Sequence, residues 1–136
     1  MFSHPAVIVH GMDHLRTALR PCRPVVLLSG TGAALYGGTQ WWRALIALGR
    51  AEFPTAPMAD ILDCADAPGR ALEALRAGQI AIRLDASVPA WTAVCTIAAN
   101  LGAQVFPDRP PAIDLGRGDA WRIAAWLAGD TGAKLR

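Results

Sequence analysis

The sequence predicts an α/β fold, a three-layer α/β/α sandwich on a mainly parallel sheet of about five strands. Three observations predict it. Short apolar runs alternate with longer amphipathic ones along the whole 136-residue chain. The short runs are apolar at almost every position, as in strands covered on both faces. Each strand-to-helix passage carries a glycine, proline, serine or aspartate, the residues of turns and caps. We find neither repeat nor linker, so residues 1–136 are expected to form one domain.

Residues 6–10 read as the first strand and 13–20 as the first helix, which Pro21 and Pro24 end by removing donors and restricting their predecessors. Residues 25–29 are the most apolar strand, and a glycine-rich loop follows over 30–38. A helix is expected from Thr39 to Gly49, with Trp42, Leu45, Ile46 and Leu48 as its buried stripe. Residues 58–63 form the third strand. Asp66 is the expected cap of the next helix, with Pro68 in its first turn and Gly78 at its end, and Leu72 and Leu75 on its buried side. Residues 80–84 form the fourth strand, and its Arg83 places that residue near the sheet edge or the strand end. Ser87 is expected to cap a helix reaching Leu101. Residues 104–106 make a short fifth strand, 112–115 a very short sixth, and Asp119 caps a last helix to Gly129. With right-handed crossovers this order is Rossmann-like or flavodoxin-like.

Composition narrows the function. Hydrophobic residues make up 53% of the chain and charged residues 18%, the reverse of a disordered protein. Thirteen basic residues against eleven acidic ones give a net charge of +2, spread along the chain. No basic stripe forms, so neither nucleic acid nor a membrane surface is an expected partner. Residues 1–5 show no signal-peptide pattern, and the uncharged run between Asp85 and Asp108 is broken by Pro89, Asn100, Gly102 and Gln104. Cys22, Cys64 and Cys95 are odd in number and form no C-x-x-C, as expected of reduced thiols in a cytoplasmic protein. All basic residues but one are arginine, and alanine is abundant, which suggests a GC-rich bacterial genome.

In an open parallel sheet, ligands bind beyond the carboxyl ends of the strands. This chain places His10, Ser29, Gly30, Thr31, Gly32, Asp63, Cys64, Asp85, Ser87 and Asp108 at such ends. Loops are polar in any protein, and Asp and Ser also cap helices, so the cluster says more than any member. Residues 32–39 have the spacing of a Walker A loop except that Gly38 stands in place of its lysine, which removes the main cationic contact to phosphate. A weaker reading survives. Consecutive glycines can turn backbone N–H groups toward an anion at a helix start, with Ser29, Thr31 and Thr39 adding hydroxyls and Arg43 a charge. The alternative is that the glycines serve a tight turn or packing against Trp41 and Trp42.

His10, Asp13 and His14 cluster after the first strand, suited to acid–base work by an imidazole beside a carboxylate. The plainer reading makes Gly11 a turn, Asp13 a cap and His14 a surface residue. A metal would need further ligands from other strand ends, and none is assigned. His10, Asp63 and Asp85 are the candidate catalytic residues; Ser29, Gly30, Thr31, Gly32 and Thr39 are the candidate ligand-binding residues. Cys64 is the best-placed thiol for nucleophilic chemistry, with His10 as a conceivable base, but it has no activating neighbour and reads as a small buried hydrophobe. The helix over 88–101 contains no charge and needs cover on its outer face, which predicts a homodimer through it; the alternative is shelter by its own chain, such as the C-terminal segment. Whether a cofactor takes part is unknown from the sequence. Two functions stand: a protein binding a small anionic or phosphorylated metabolite at its strand ends, or a non-catalytic interaction or regulatory module working as a homodimer.

Overall fold

The computed structural model describes residues 4–129. Among them, β1 (Ala6–Ile8), β2 (Val25–Leu28), β3 (Met58–Asp63), β4 (Ala81–Arg83), β5 (Gln104–Phe106) and β6 (Ala112–Asp114) form a mainly parallel six-stranded sheet. The order is β5-β4-β3-β2-β1-β6, so six strands stand where about five were expected. The helices α1 (Met12–Leu19), α2 (Ala33–Tyr36), α3 (Thr39–Glu52), α4 (Pro68–Arg76), α5 (Trp91–Asn100) and α6 (Ile123–Leu127) flank it in a three-layer, Rossmann-like arrangement. The strands advance in one direction from β1 to β5, and the order reverses where β6 returns beside β1. This order is neither of the two common doubly wound ones.

The chain divides into two compact units. Of the described residues, one comprises 4–28, Leu45–Asp60 and 110–129. In it β1 lies between β2 and β6, with Ile8 level with Leu28 on one side and Asp114 on the other. Val7, Val9, Leu15, Leu19, Leu27, Leu28 and Ile113 are fully buried there, each such side chain contributing about 1.5–3 kcal/mol. In the second half of α3, Leu45 and Ile46 are buried as expected, but Leu48 is 57% exposed. Gly49 takes the inward place instead, and a Cβ there would stand 2.5 Å from Leu15 Cδ2. Trp126 is buried and donates its indole N–H to the Ala6 carbonyl at 2.7 Å.

The other unit comprises Ser29–Ala44 and Ile61–Arg109. Leu62 pairs with Ile82, Asp63 with Arg83, and Arg83 with Phe106. Trp42, Ile61, Leu62, Ala71, Ala74, Ile82, Leu84 and Val94 form its core.

Several expected caps are not made. Gly11, not Asp13, precedes α1; Ala67, not Asp66, precedes α4; Ala90, not Ser87, precedes α5. Pro68 opens α4 and excuses the missing cap, since its own donor would have been orphaned. The uncharged helix starts at Trp91, because Val88–Ala90 form turns. Asp119 begins a short 3₁₀ turn, Asp119–Arg122, before α6. No described helix is long and apolar enough to cross a membrane.

Candidate functional site

In the unit holding β4 and β5, a chain of charges runs across the strand ends. Asp63 is the last residue of β3 and fully buried. Its Oδ1 accepts the Ala65 N–H at 2.7 Å, which fixes the turn after the strand, where Ala65 has a positive φ of 50°. Its Oδ2 receives Arg109 Nη1 at 2.5 Å, and Arg109 Nη2 donates to the Ser29 carbonyl at 3.0 Å. Arg83 ends β4, lies 3.6 Å from Asp63 Oδ1, pairs with Asp85, and donates through Nε to the Pro107 carbonyl at 3.0 Å. Burying a carboxylate costs several kcal/mol unless it is paired and hydrogen-bonded, and Asp63 is both.

The Ser29 hydroxyl is also committed, accepting the Asp63 N–H at 2.9 Å and donating to the Gly30 carbonyl at 3.0 Å. The glycine loop expected over 30–38 is interrupted by α2, a single helical turn. Gly32 begins it in the left-handed region (φ 69°), and Gly38 is left-handed again (φ 87°) where the chain turns into α3. Gly37 and Gly38 both donate their N–H to the Ala33 carbonyl. Thr31 is exposed. Thr39 is 1% exposed, and its Oγ1 has no hydrogen-bond partner. Arg43 lies over Gly78 at the end of α4, where a Cβ would meet Nη2 at 3.2 Å. A cation is favourable at that helix terminus.

The histidines belong to the unit holding β1 and β6. His10 does not pair with Asp13, whose side chain is 99% exposed. Instead, its Nε2 meets Asp114 Oδ1 at 2.9 Å, joining the carboxyl ends of two neighbouring strands. The same Oδ1 accepts the Gly116 N–H at 2.8 Å, and the Asp114 N–H is held by Asp119 Oδ2 at 3.0 Å. The backbone N–H of His10 donates to His14 Nδ1 at 3.0 Å, and the two rings meet edge to face. Among the described residues, no three His, Cys, Asp or Glu side chains gather as metal ligands would.

Cys64 is fully buried beside Asp63, and together burial and that charge push its thiol up to about 12, so it carries no thiolate near neutrality. Burial also raises the Cys95 thiol.

Arg109, Arg83 and Asp114 organise these clusters, yet sequence reasoning did not select them as site residues. Arg109 sits in a proline-rich turn with no periodicity, and its partners Asp63 and Ser29 are 46 and 80 residues away. Asp114-Leu115-Gly116 did carry a local signal, the spacing of a side chain that accepts from the backbone two residues on.

No protein-family model matches the chain, and a search of curated proteins finds no relative. The residues alone therefore carry the functional argument. They describe a small α/β protein with buried charged groups near its strand ends.

Proposed function

We propose that this protein binds a small anionic, phosphorylated metabolite at the carboxyl ends of its strands, beside the loop from Ser29 to Thr39. The observation that carries the reading is the Thr39 hydroxyl, buried at the start of α3 without a partner. Leaving such a group unbonded costs about 1–3 kcal/mol, and native structures rarely tolerate it without a reason. A phosphoryl oxygen supplies the missing partner when the loop over residues 30–38 moves aside to uncover the hydroxyl. The amide-rich start of a 14-residue helix favours the same charge. Arg109 and Arg83 keep a positive edge near the strand ends, although Asp63 and Asp85 offset much of it. Gly30, Thr31 and Gly32 contribute backbone in this reading, while Asp63 and Asp85 position the arginines.

A thermal-shift panel of sugar phosphates, nucleotides and inorganic phosphate tests the reading. A ligand at a hundred times its dissociation constant adds about 2.7 kcal/mol, a rise of several degrees for a chain of this size. Thr39→Val keeps the shape and removes the hydroxyl. It is expected to hold or raise the melting temperature of the free protein while reducing the ligand-induced rise. A flat response to every phosphorylated compound contradicts the proposal.

A second reading is the homodimer through residues 88–101. Its support is the outer face of α5, where Ala93, Thr96 and Ala99 are exposed without charge and Leu101 follows at 54% exposure. Cysteines outside disulfides suit a cytoplasmic setting for either reading.

A further inference from the structure

We infer that His10 is a general base, positioned by Asp114, that activates water for attack on an uncharged acyl compound such as a carboxylic ester. The inference is independent of the anion reading, whose residues belong to the other compact unit. The pair sits where the strand order reverses between β1 and β6, the place where open parallel sheets hold their ligands.

Three features distinguish it from a chance surface contact. Asp114 is fixed before the imidazole reaches it, through the Gly116 N–H on its carboxylate and Asp119 on its backbone. Gly116 makes room for the ring, since a Cβ there would stand 2.8 Å from His10 Cδ2 and 2.9 Å from Nε2. The backbone of His10 is held by His14. An ionised Asp114 keeps the proton on Nε2, which leaves the lone pair on Nδ1. This is the arrangement of an imidazole ready to accept a proton.

The side chain of His10 is 38% exposed, and beside it Gly11 is bare, with nothing within 4 Å of where a Cβ would stand. A small molecule therefore has access. The charges around the ring select its class. Asp114 and Asp119 stand near it, with Asp13 and His14 on α1. Three arginines of this unit are set against carboxylates: Arg122 on Asp119, Arg117 on Asp114, and Arg16 on Glu52 and Asp13. With these three cations committed and the Asp114, Asp119 and Asp13 carboxylates around the ring, the local charge favours an uncharged substrate over an anionic one.

In the step itself, Nδ1 takes a proton from water as the water oxygen bonds to the acyl carbon. The ester C–O bond then breaks, and the alcohol leaves with the proton returned by the imidazolium. The products are the free acid and the alcohol.

Hydrolysis of p-nitrophenyl acetate by the full chain is the test. The wild type is expected to exceed an equal concentration of free imidazole and to show a solvent deuterium isotope effect. His10→Gln is expected to lose roughly a hundredfold. His4→Gln, a surface imidazole elsewhere, is expected to change nothing. Gly116→Ala requires no left-handed backbone and crowds both the ring and Asp114 Oδ1, which its Cβ would approach to 3.1 Å, so the rate should fall with the fold intact. For Asp114→Asn, ¹⁵N spectra should show the proton moved from Nε2 to Nδ1, because the amide presents a donor to Nε2. A wild type no faster than imidazole, a His10→Gln variant at the wild-type rate, or an acetylated ring found by mass spectrometry overturns the inference.

Discussion

Asp63 and Cys64 are neighbours in sequence and opposites in chemistry, and the same burial explains both. The carboxylate persists at 0% exposure because Arg109, Arg83 and a backbone amide face it. The thiol next to it gains no such partner and keeps its proton. This has a consequence for stability. The folded thiol holds its proton to about 12, while the unfolded one releases it near 9.0. Between those values the unfolded chain binds fewer protons, so stability falls as pH rises, by about 1.4 kcal/mol per pH unit from this group. Below pH 9 the contribution is level. Urea titrations between pH 8 and 11 should show the decline, and Cys64→Ala should lessen its slope. A slope unchanged in that variant would assign the alkaline loss to other groups.

At the scale of elements, two helical glycines differ in what surrounds them. Gly49 in α3 presses against Leu15 and Leu19, whereas nothing lies within 4 Å of a Cβ at Gly69 in α4. Gly49→Val is expected to cost about 2–3 kcal/mol through overpacking. Gly69→Ala is expected to gain up to about 1 kcal/mol by restricting the unfolded chain. Chemical denaturation of both variants checks the pair, and equal effects would contradict the packing described for α3. The same contrast shows what the sequence made legible. Strand positions were readable because apolar runs bounded by turn residues leave few alternatives, and Met58–Asp63 and Gln104–Phe106 fall where expected. Leu48 was misjudged because hydrophobicity ranks it above glycine, while close contact between helices requires the smaller residue. Asp66, Ser87 and Asp13 were read as caps from residue type alone, and the side chains make no such bond in the structure. Strand ends pointed to His10, Asp63 and Ser29, but their partners Asp114 and Arg109 come from distant segments. No local pattern announces such pairings.

For the molecule as a whole, the sequence alone already carried the fold class, whereas the association of copies is a question of surface. The charge-free outer face of α5 and Leu101 is the feature that asks for a partner. Sedimentation equilibrium at micromolar concentration is expected to give a dimer, and Leu101→Asp with Ala93→Asp is expected to give a monomer of unchanged helix content. A wild-type monomer would remove that reading and leave ligand binding untouched. Ligand binding at the strand ends is the central claim, and an amide NMR titration with the strongest phosphorylated compound from the thermal panel tests it most directly. The expected result is saturable shifts confined to amides of residues 29–32 and 37–42 and to the Arg109 side chain. Shifts that cluster elsewhere, or none up to millimolar ligand, would contradict the claim.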